Sequence, residues 1–187
     1  MPTRVELINK LYSLENKHVI AAVAELRMRG WLTDGSLHGI GLCHAQFQGV
    51  DLMKADLRDV DFHQADLESA DLCMANLQDA KLTRTNLRSA NFSHADLAGA
   101  DLYKADLRGA RNLTREQLLR VRRLWGAIMP DGETYDGRYG LPGDLGQARW
   151  AKVDLNDPKA MAGFYGVPFE TYLRGQGQVI EDSLPGT

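Results

Sequence analysis

The sequence predicts a mainly β solenoid: a chain wound into a four-cornered tube of about four coils, with a helical segment before it and a mostly helical segment after it. Three observations carry this. From Leu42 to Leu107 every fifth position is Leu or Phe without a gap: Leu42, Phe47, Leu52, Leu57, Phe62, Leu67, Leu72, Leu77, Leu82, Leu87, Phe92, Leu97, Leu102 and Leu107. Two residues before each stands Ile, Ala or Val, from Ile40 to Ala105, with Thr85 the single polar member. The residue between the two is usually Asp or Asn. A repeat of fixed period sets the architecture before local propensity is weighed.

A period of five suits neither common element. On a helix of 3.6 residues per turn, five residues rotate a side chain by about 140°, so the Leu set would encircle the axis. On a flat strand an odd period sends alternate Leu residues to opposite faces. They share one interior only if the backbone turns about a quarter circle per pentapeptide. About twenty residues then make one square coil, and coils stack at the ~4.8 Å spacing of paired strands. Leu or Phe fills the tube, Ala or Val fits the crowded place beside it, and three positions per pentapeptide face water.

The run "ADLRDVDFHQADLESADLCMANLQDA" (55–80) resembles the pentapeptide repeat family. The resemblance implies a right-handed quadrilateral β-helix. It extends more weakly to "GWLTDGSLHG", where Leu32 and Leu37 follow Gly30 and Gly35 by two. The predicted organisation is an N-terminal helical cap over 1–29, the β-helix over 30–112, and a C-terminal extension over 113–187.

An open coil stack exposes unpaired strand edges, so both ends need covering. At the front, Leu7, Ile8, Leu11 and Leu14 predict one short helix. Val19, Ile20, Val23, Ala24 and Leu26 predict a second, ending at Gly30. The pair reads as a lid, with a partner-binding helix as the alternative. Behind the repeats the register fails at Asn112. "LTREQLLRVRRL" then predicts a helix with capping-box spacing at Thr114 and Gln117 and a stripe of Leu118, Leu119, Val121 and Leu124. "GAIMPDGETYDGRYG" is turn-rich, and Ala127 with Met129 echoes the repeat pair. Three short helices follow, in "LPGDLGQARWAKVD", "DPKAMAGFYG" and "VPFETYLRGQ", with starts at Asp157 and Pro168 and stops at Gly166 and Gly175. Trp125, Trp150, Phe164, Tyr165, Phe169 and Tyr172 supply apolar bulk for docking, either as a cap or as a dimer or partner surface. The residues from Gly175 onward read as frayed.

Bulk properties exclude several classes. The 187 residues are 44% hydrophobic and 25% charged with a net charge of −3, ordinary for a globular chain. No apolar run approaches the ~20 residues of a membrane span, and no signal-peptide pattern precedes the first helix. A cytoplasmic location is the expectation. Cys43 and Cys73 lie one and a half coils apart, on opposite walls, so they do not bridge.

Residues twenty apart stack vertically, so outward columns follow from the numbering. Met53, Cys73 and Ser93 form one column, and Lys54, Met74 and His94 the next. Met53, Cys73, Met74 and His94 are the candidate partner-contact patch, since exposed Met and Cys are unusual on a surface free to be polar. A soft-metal site is the weaker alternative there, for want of visible outer partners. Cys43, His44 and His63 cluster on another wall without metal-ligand spacing. Gly49, Ser69, Ser89 and Gly109 make a flat strip beside Gln48, Glu68, Arg88 and Arg108, compatible with sideways association. Side chains on flat walls diverge, and no catalytic, phosphate-binding or metal motif appears, so neither an enzyme nor a cofactor is expected. The expected partner is another protein, with homodimerisation through an end cap or the C-terminal extension as one form.

Some members of the resembled family protect or inhibit DNA gyrase, which implies a rod imitating duplex DNA. Residues 42–110 hold 11 acidic and 7 basic residues, a net of −4. DNA of the same ~17 Å length presents on the order of 10 charges. The rod is under-charged and mixed in sign. A DNA-mimicking topoisomerase regulator is therefore the second expectation, behind a protein-interaction scaffold, and the mixed field argues against direct nucleic-acid binding.

Overall fold

The computed structural model describes residues 1–177. Expectations for residues beyond 177, including the frayed terminus, lie outside the described residues. From Gly41 to Asn91 each residue preceding the central Leu or Phe forms a parallel bridge with its counterpart twenty residues on, as in Asp51 with Asp71 and Asp71 with Asn91. Bridges recur every five residues, so each coil has four walls. All fourteen central Leu and Phe residues are at most 1% exposed. Phe47 and Phe62 meet edge to face, with ring centres 5.6 Å apart.

One pentapeptide shows why the pattern folds this way, because each of its five backbone N–H groups has a partner. Asp71 donates down to Val50 O (3.0 Å); Leu72 and Met74 donate up to Asn91 O (2.9 Å) and Ser93 O (2.8 Å). Ala75 closes the corner onto Leu72 O at 3.0 Å. The remaining donor, Cys73 N, is taken by the Asp71 carboxylate at 3.0 Å. The Asp or Asn before each Leu is therefore part of the corner, an Asx turn that satisfies a backbone group the ladder leaves over. Asp51, Asp61, Asp66, Asn76, Asn86, Asn91, Asp96, Asp101 and Asp106 do the same.

Each corner also needs a left-handed residue. Met74 has φ 57° ahead of the Ala75–Leu72 bond, as position three of a type II turn requires. The fourteen equivalent corners from His44 to Gly109 all have positive φ, and only Gly49, Gly99 and Gly109 are glycine. Thr85, the polar inward residue, is fully buried, and its hydroxyl donates to Phe62 O of the preceding coil at 2.8 Å.

Two helices precede the coils, α1 (Arg4–Lys10) and α2 (Asn16–Met28). Leu7, Leu11, Val19, Ala22, Val23 and Leu26 join the same buried cluster as the coil leucines, whereas Leu14 and Ile20 are exposed. Arg27 ties α2 to the first coil by donating to Met53 O (3.1 Å) and Asp51 O (2.9 Å).

The solenoid does not stop at residue 112. Asp101 bridges Arg123 and Asp106 bridges Ile128, a spacing of 22, so the coil resumes after a two-residue insertion. The helix expected over 113–124 is correspondingly only one turn, α3 (Arg115–Leu118). Its Thr114–Gln117 capping box forms, but Arg122 N is claimed by Ala100 O (2.8 Å) and Arg123 O by Leu102 N (3.0 Å). Leu124 therefore enters the tube as a core residue and Leu119 faces solvent, so the expected apolar stripe does not exist. Gln117 repairs the broken corner by donating its side-chain amide to Phe92 O and Ala95 O, both at 2.8 Å.

Beyond Ile128 the chain folds back, pairing Ile128 antiparallel with Thr134. Then come α4 (Pro142–Trp150), α5 (Pro158–Tyr165) and α6 (Phe169–Gly175). Asp157 caps α5 through Lys159 N (2.9 Å), and Gly166 ends it at φ 68°. No helix among the described residues is long and apolar enough to cross a membrane.

Leu77→Asp places an unpaired charge in the tube and is expected to cost several kcal/mol, a large share of the ~10 kcal/mol of stability of such a protein, and to lower its melting temperature steeply. Gln78→Lys, one position outward, keeps a donor for the Asp96 carboxylate that Gln78 now contacts and should leave melting unchanged. Thermal melts of the two variants check the inward and outward assignment.

Candidate functional site

The ladder puts the expected contact residues on one wall. Lys54 N donates to Cys73 O (2.9 Å) and Met74 N to Ser93 O (2.8 Å), so Met53, Cys73 and Ser93 stand in one column beside Lys54, Met74 and His94. Met53 and Cys73 are half-buried, whereas Met74 and His94 are exposed. Met74 is the single apolar side chain among the fourteen left-handed corners, which otherwise carry Gly, Ser, Asp, Gln, Lys, Arg or His. His94 borders a cleft of about 390 Å³ with Ser93, Asn112, Thr114 and Gln117, created where the insertion interrupts the corner.

On another wall, His44 and His63 meet edge to face at 6.2 Å. Burial pushes the Cys43 thiol up, and its hydrogen bond to the Asp61 carboxylate adds to this. Among the described residues no three His, Cys, Asp or Glu side chains are grouped to hold a metal ion. Both cysteines are free.

The sequence reading missed a group at the front. Ser13 Oγ lies 3.3 Å from His18 Nδ1, and Glu15 Oε2 lies 4.0 Å from His18 Nε2. The residue types suggest acyl transfer, but Ser13 Oγ accepts Glu15 N at 3.1 Å, fixing the turn into α2. His18 and Glu15 are more than half exposed, and their 4.0 Å contact is at the limit of an ion pair. The local chain geometry accounts for the cluster.

The C-terminal elements pack back onto the rod. Trp125, the outward residue of the last coil, stacks on Phe164 with ring centres 5.2 Å apart and donates Nε1 to Phe164 O at 2.7 Å. Tyr135, Tyr165 and Tyr172 are buried beneath. Trp150 takes no part in this docking and is 80% exposed, contrary to the expectation for it.

The repeats are shared with known proteins. The family model described as pentapeptide repeats matches residues 36–72 and 75–111 in eight copies. A pentapeptide repeat protein of Nostoc PCC 7120, alr5209, is 32% identical over 50% of this chain and 81% of its own, with a TM-score of 0.27. The chain belongs to the pentapeptide repeat family. HetL, a member involved in heterocyst differentiation regulation in the cyanobacterium Nostoc sp. strain PCC 7120, is 37% identical over 50% of this chain, with a TM-score of 0.45. This chain spans 42% of HetL. QnrB1, a plasmid-mediated fluoroquinolone resistance protein, is 21% identical over 49% of this chain and 61% of its own, with a TM-score of 0.17. No curated protein matches.

In this pentapeptide repeat protein the tail meets the last coil through a buried carboxylate. Gly143 N donates to Arg122 O at 3.0 Å, with the 21-residue offset of the ordinary ladder, as for Asp61 N and Ile40 O. Asp144 Oδ1 accepts Trp125 N at 2.9 Å and Leu124 N at 3.2 Å. The carboxylate thus stands in for the next coil's carbonyl at Leu124 N and, at Trp125 N, for the Asx side chain that Arg123 does not supply. A side chain at Gly143 would put its Cβ 2.6 Å from Arg122 O, so the approach requires glycine. Asp144 is fully buried. Burial pushes its carboxyl up to about 6, against the opposing pull of the two N–H donors.

A folded value above the ordinary 3.8 means that this group's contribution is greatest at acid pH and falls as pH rises from about 4 through 6. Carboxylates such as Asp56, held low by its hydrogen-bonded Arg58, act in the opposite sense, so the test is a difference. Asp144→Asn should match the wild type near pH 4 and exceed it at pH 7, by at most about 3 kcal/mol. Melting temperatures of the two proteins across pH 4–7 measure this. Asp144→Leu, which removes the acceptor, should destabilise at every pH.

Proposed function

We propose that the chain is a non-enzymatic protein-interaction module, a right-handed quadrilateral β-helix in the cytoplasm that presents flat walls to another protein. In this reading residues 1–29 cap the front and the extension from 113 covers the rear while offering a docking surface. The contact patch is Met53, Cys73, Met74 and His94. The observation that carries it is Met74. Met74 is the one apolar side chain among the fourteen left-handed corners, and half of it stands exposed to water where the other corners are Gly or polar. Soft, adaptable Met side chains are common at binding surfaces. Exposed Trp150 provides a second apolar contact on the tail.

One observation favours the second reading, a DNA-mimicking regulator of DNA gyrase. Residues 42–80 hold eight acidic and two basic residues, a net of −6 over roughly two coils, which approaches the charge density of duplex DNA. The basic residues that follow in the later coils reverse this field, and the interaction module is the better-supported reading.

Under the favoured reading, tagged protein should retain a stoichiometric protein from its native cell extract, lose it on Met74→Glu, and keep it on Arg84→Glu. The same proteins in a gyrase supercoiling assay should leave turnover unchanged. Inhibition at low micromolar protein would replace the first reading with the second.

A further inference from the structure

The wall next to the one that bears the Met and Cys columns, one pentapeptide earlier in each coil, carries an ordered charge pattern that the proposed function does not use. Its outward column reads Gln48, Glu68, Arg88, Arg108 from front to back, and the adjoining corner column reads Gly49, Ser69, Ser89, Gly109. Glu68 N is the partner of no coil carbonyl but of Asp66 Oδ1, and Ser69 N donates to Arg88 O at 2.7 Å, which fixes the stacking of successive coils. Glu68, Arg108 and all four corner residues are exposed. Among the described residues Asp66 and Glu68 make no ion pair, while Asp106 alone holds both Arg88 and Arg108. The wall is therefore anionic in its front half and cationic behind. The chain repeats this on a larger scale: residues 42–80 carry a net −6, and residues 81–123, with four acidic and ten basic residues, a net +6.

We propose that this wall binds a second copy of the chain, face to face and antiparallel, about a two-fold axis lying across the wall between the Ser69 and Ser89 coils. Such an axis brings each column onto itself in reverse order. Glu68 of one copy then faces Arg88 of the other, Gln48 faces Arg108, Asp66 faces Asn86 and Gln46 faces Asp106. No like charges meet. A parallel pairing sets Glu68 against Glu68 and Arg88 against Arg88. Sliding the antiparallel pair by one coil sets one of those residues against itself on the axis. The charge order selects both the direction and the register, and the Gly and Ser column lets the two backbones approach closely.

The interface is small. Four coils span about 20 Å and the wall is about 10 Å wide, below the ~1,000 Å² of a stable dimer. The association is accordingly weak, electrostatic and sensitive to salt. It goes beyond the proposed function and uses a different wall, so either can fail alone.

The test is sedimentation of the full chain at about 10 mM ionic strength, where charges act over ~30 Å, and at about 1 M, where they act over ~3 Å. The average mass of the wild type should rise from the monomer towards the dimer as protein concentration increases at low salt, and stay at the monomer at high salt. Glu68→Arg and Arg88→Glu should each be monomeric at low salt, since one sets cations and the other sets anions against each other. An equimolar mixture of the two variants should dimerise, because each then supplies the charge the other lacks. Unchanged melting temperatures show that the variants are folded. Direction is read by cross-linking in a Cys43→Ser, Cys73→Ser background: Ser69→Cys and Ser89→Cys chains should form a mixed disulfide dimer when combined and none alone. A monomeric wild type at low salt, a dimer indifferent to salt, self-association of either single charge variant, or a mixture that stays monomeric overturns the proposal.

Discussion

The structure depends on the corner. At each one the chain must turn about a quarter circle within four residues, and the third must adopt positive φ. Eleven of the fourteen corners do so without glycine, each at a cost on the order of 1 kcal/mol. What holds them is the completeness of the bonding. In Asp71–Ala75 two N–H groups reach one coil up, one reaches one coil down, one closes the turn, and one goes to the Asp71 side chain. Removing the corner would orphan donors in three coils at once, so the strain is distributed over a ladder that has no weaker alternative.

That constraint explains what was legible from the amino-acid order and what was not. The Leu positions and their Ala or Val neighbours were, because burial tolerates no other geometry at a period of five. The Asp and Asn positions were read only as water-facing. Their hydrogen bonds depend on backbone direction at the corner, which composition does not display, although an Asx residue two before an unpaired donor is a recognisable turn signature. The short tail helices α5 and α6 were also legible, from Asp157–Pro158 and Pro168. The helix over 113–124 was not. Its apolar spacing fits a helix and a resumed coil equally, and the coil prevails because Arg122 and Leu124 complete a ladder already in place.

The candidate patch was legible as a set of columns and no further. Register alone places Met53, Cys73, Met74 and His94 on one wall. What singles out Met74 is an apolar side chain at a left-handed corner where every other corner is Gly or polar, and that appears only once the corners are seen. Trp150 misled for a related reason: its bulk suggested docking, but it ends α4 on the side away from the rod, while Trp125 and Phe164 make the contact.

A coil stack grows along its axis unless both ends are closed. Here α2 ties its Arg27 to Asp51 and Met53 at the front. At the rear the fold-back at Ile128 and the carboxylate of Asp144 occupy the positions a further coil would take. Asp144 does this from a dry site, and its carboxyl oxygen offers two donors an acceptor without offering a new edge in return. The end is thus satisfied and sterile, unlike a bare strand edge. With axial growth closed, the walls are the extended surfaces left for association. Their side chains are fixed in rank by the five-residue period, so specificity has to reside in the order of residues along a column, which is the one variable the repeat leaves free.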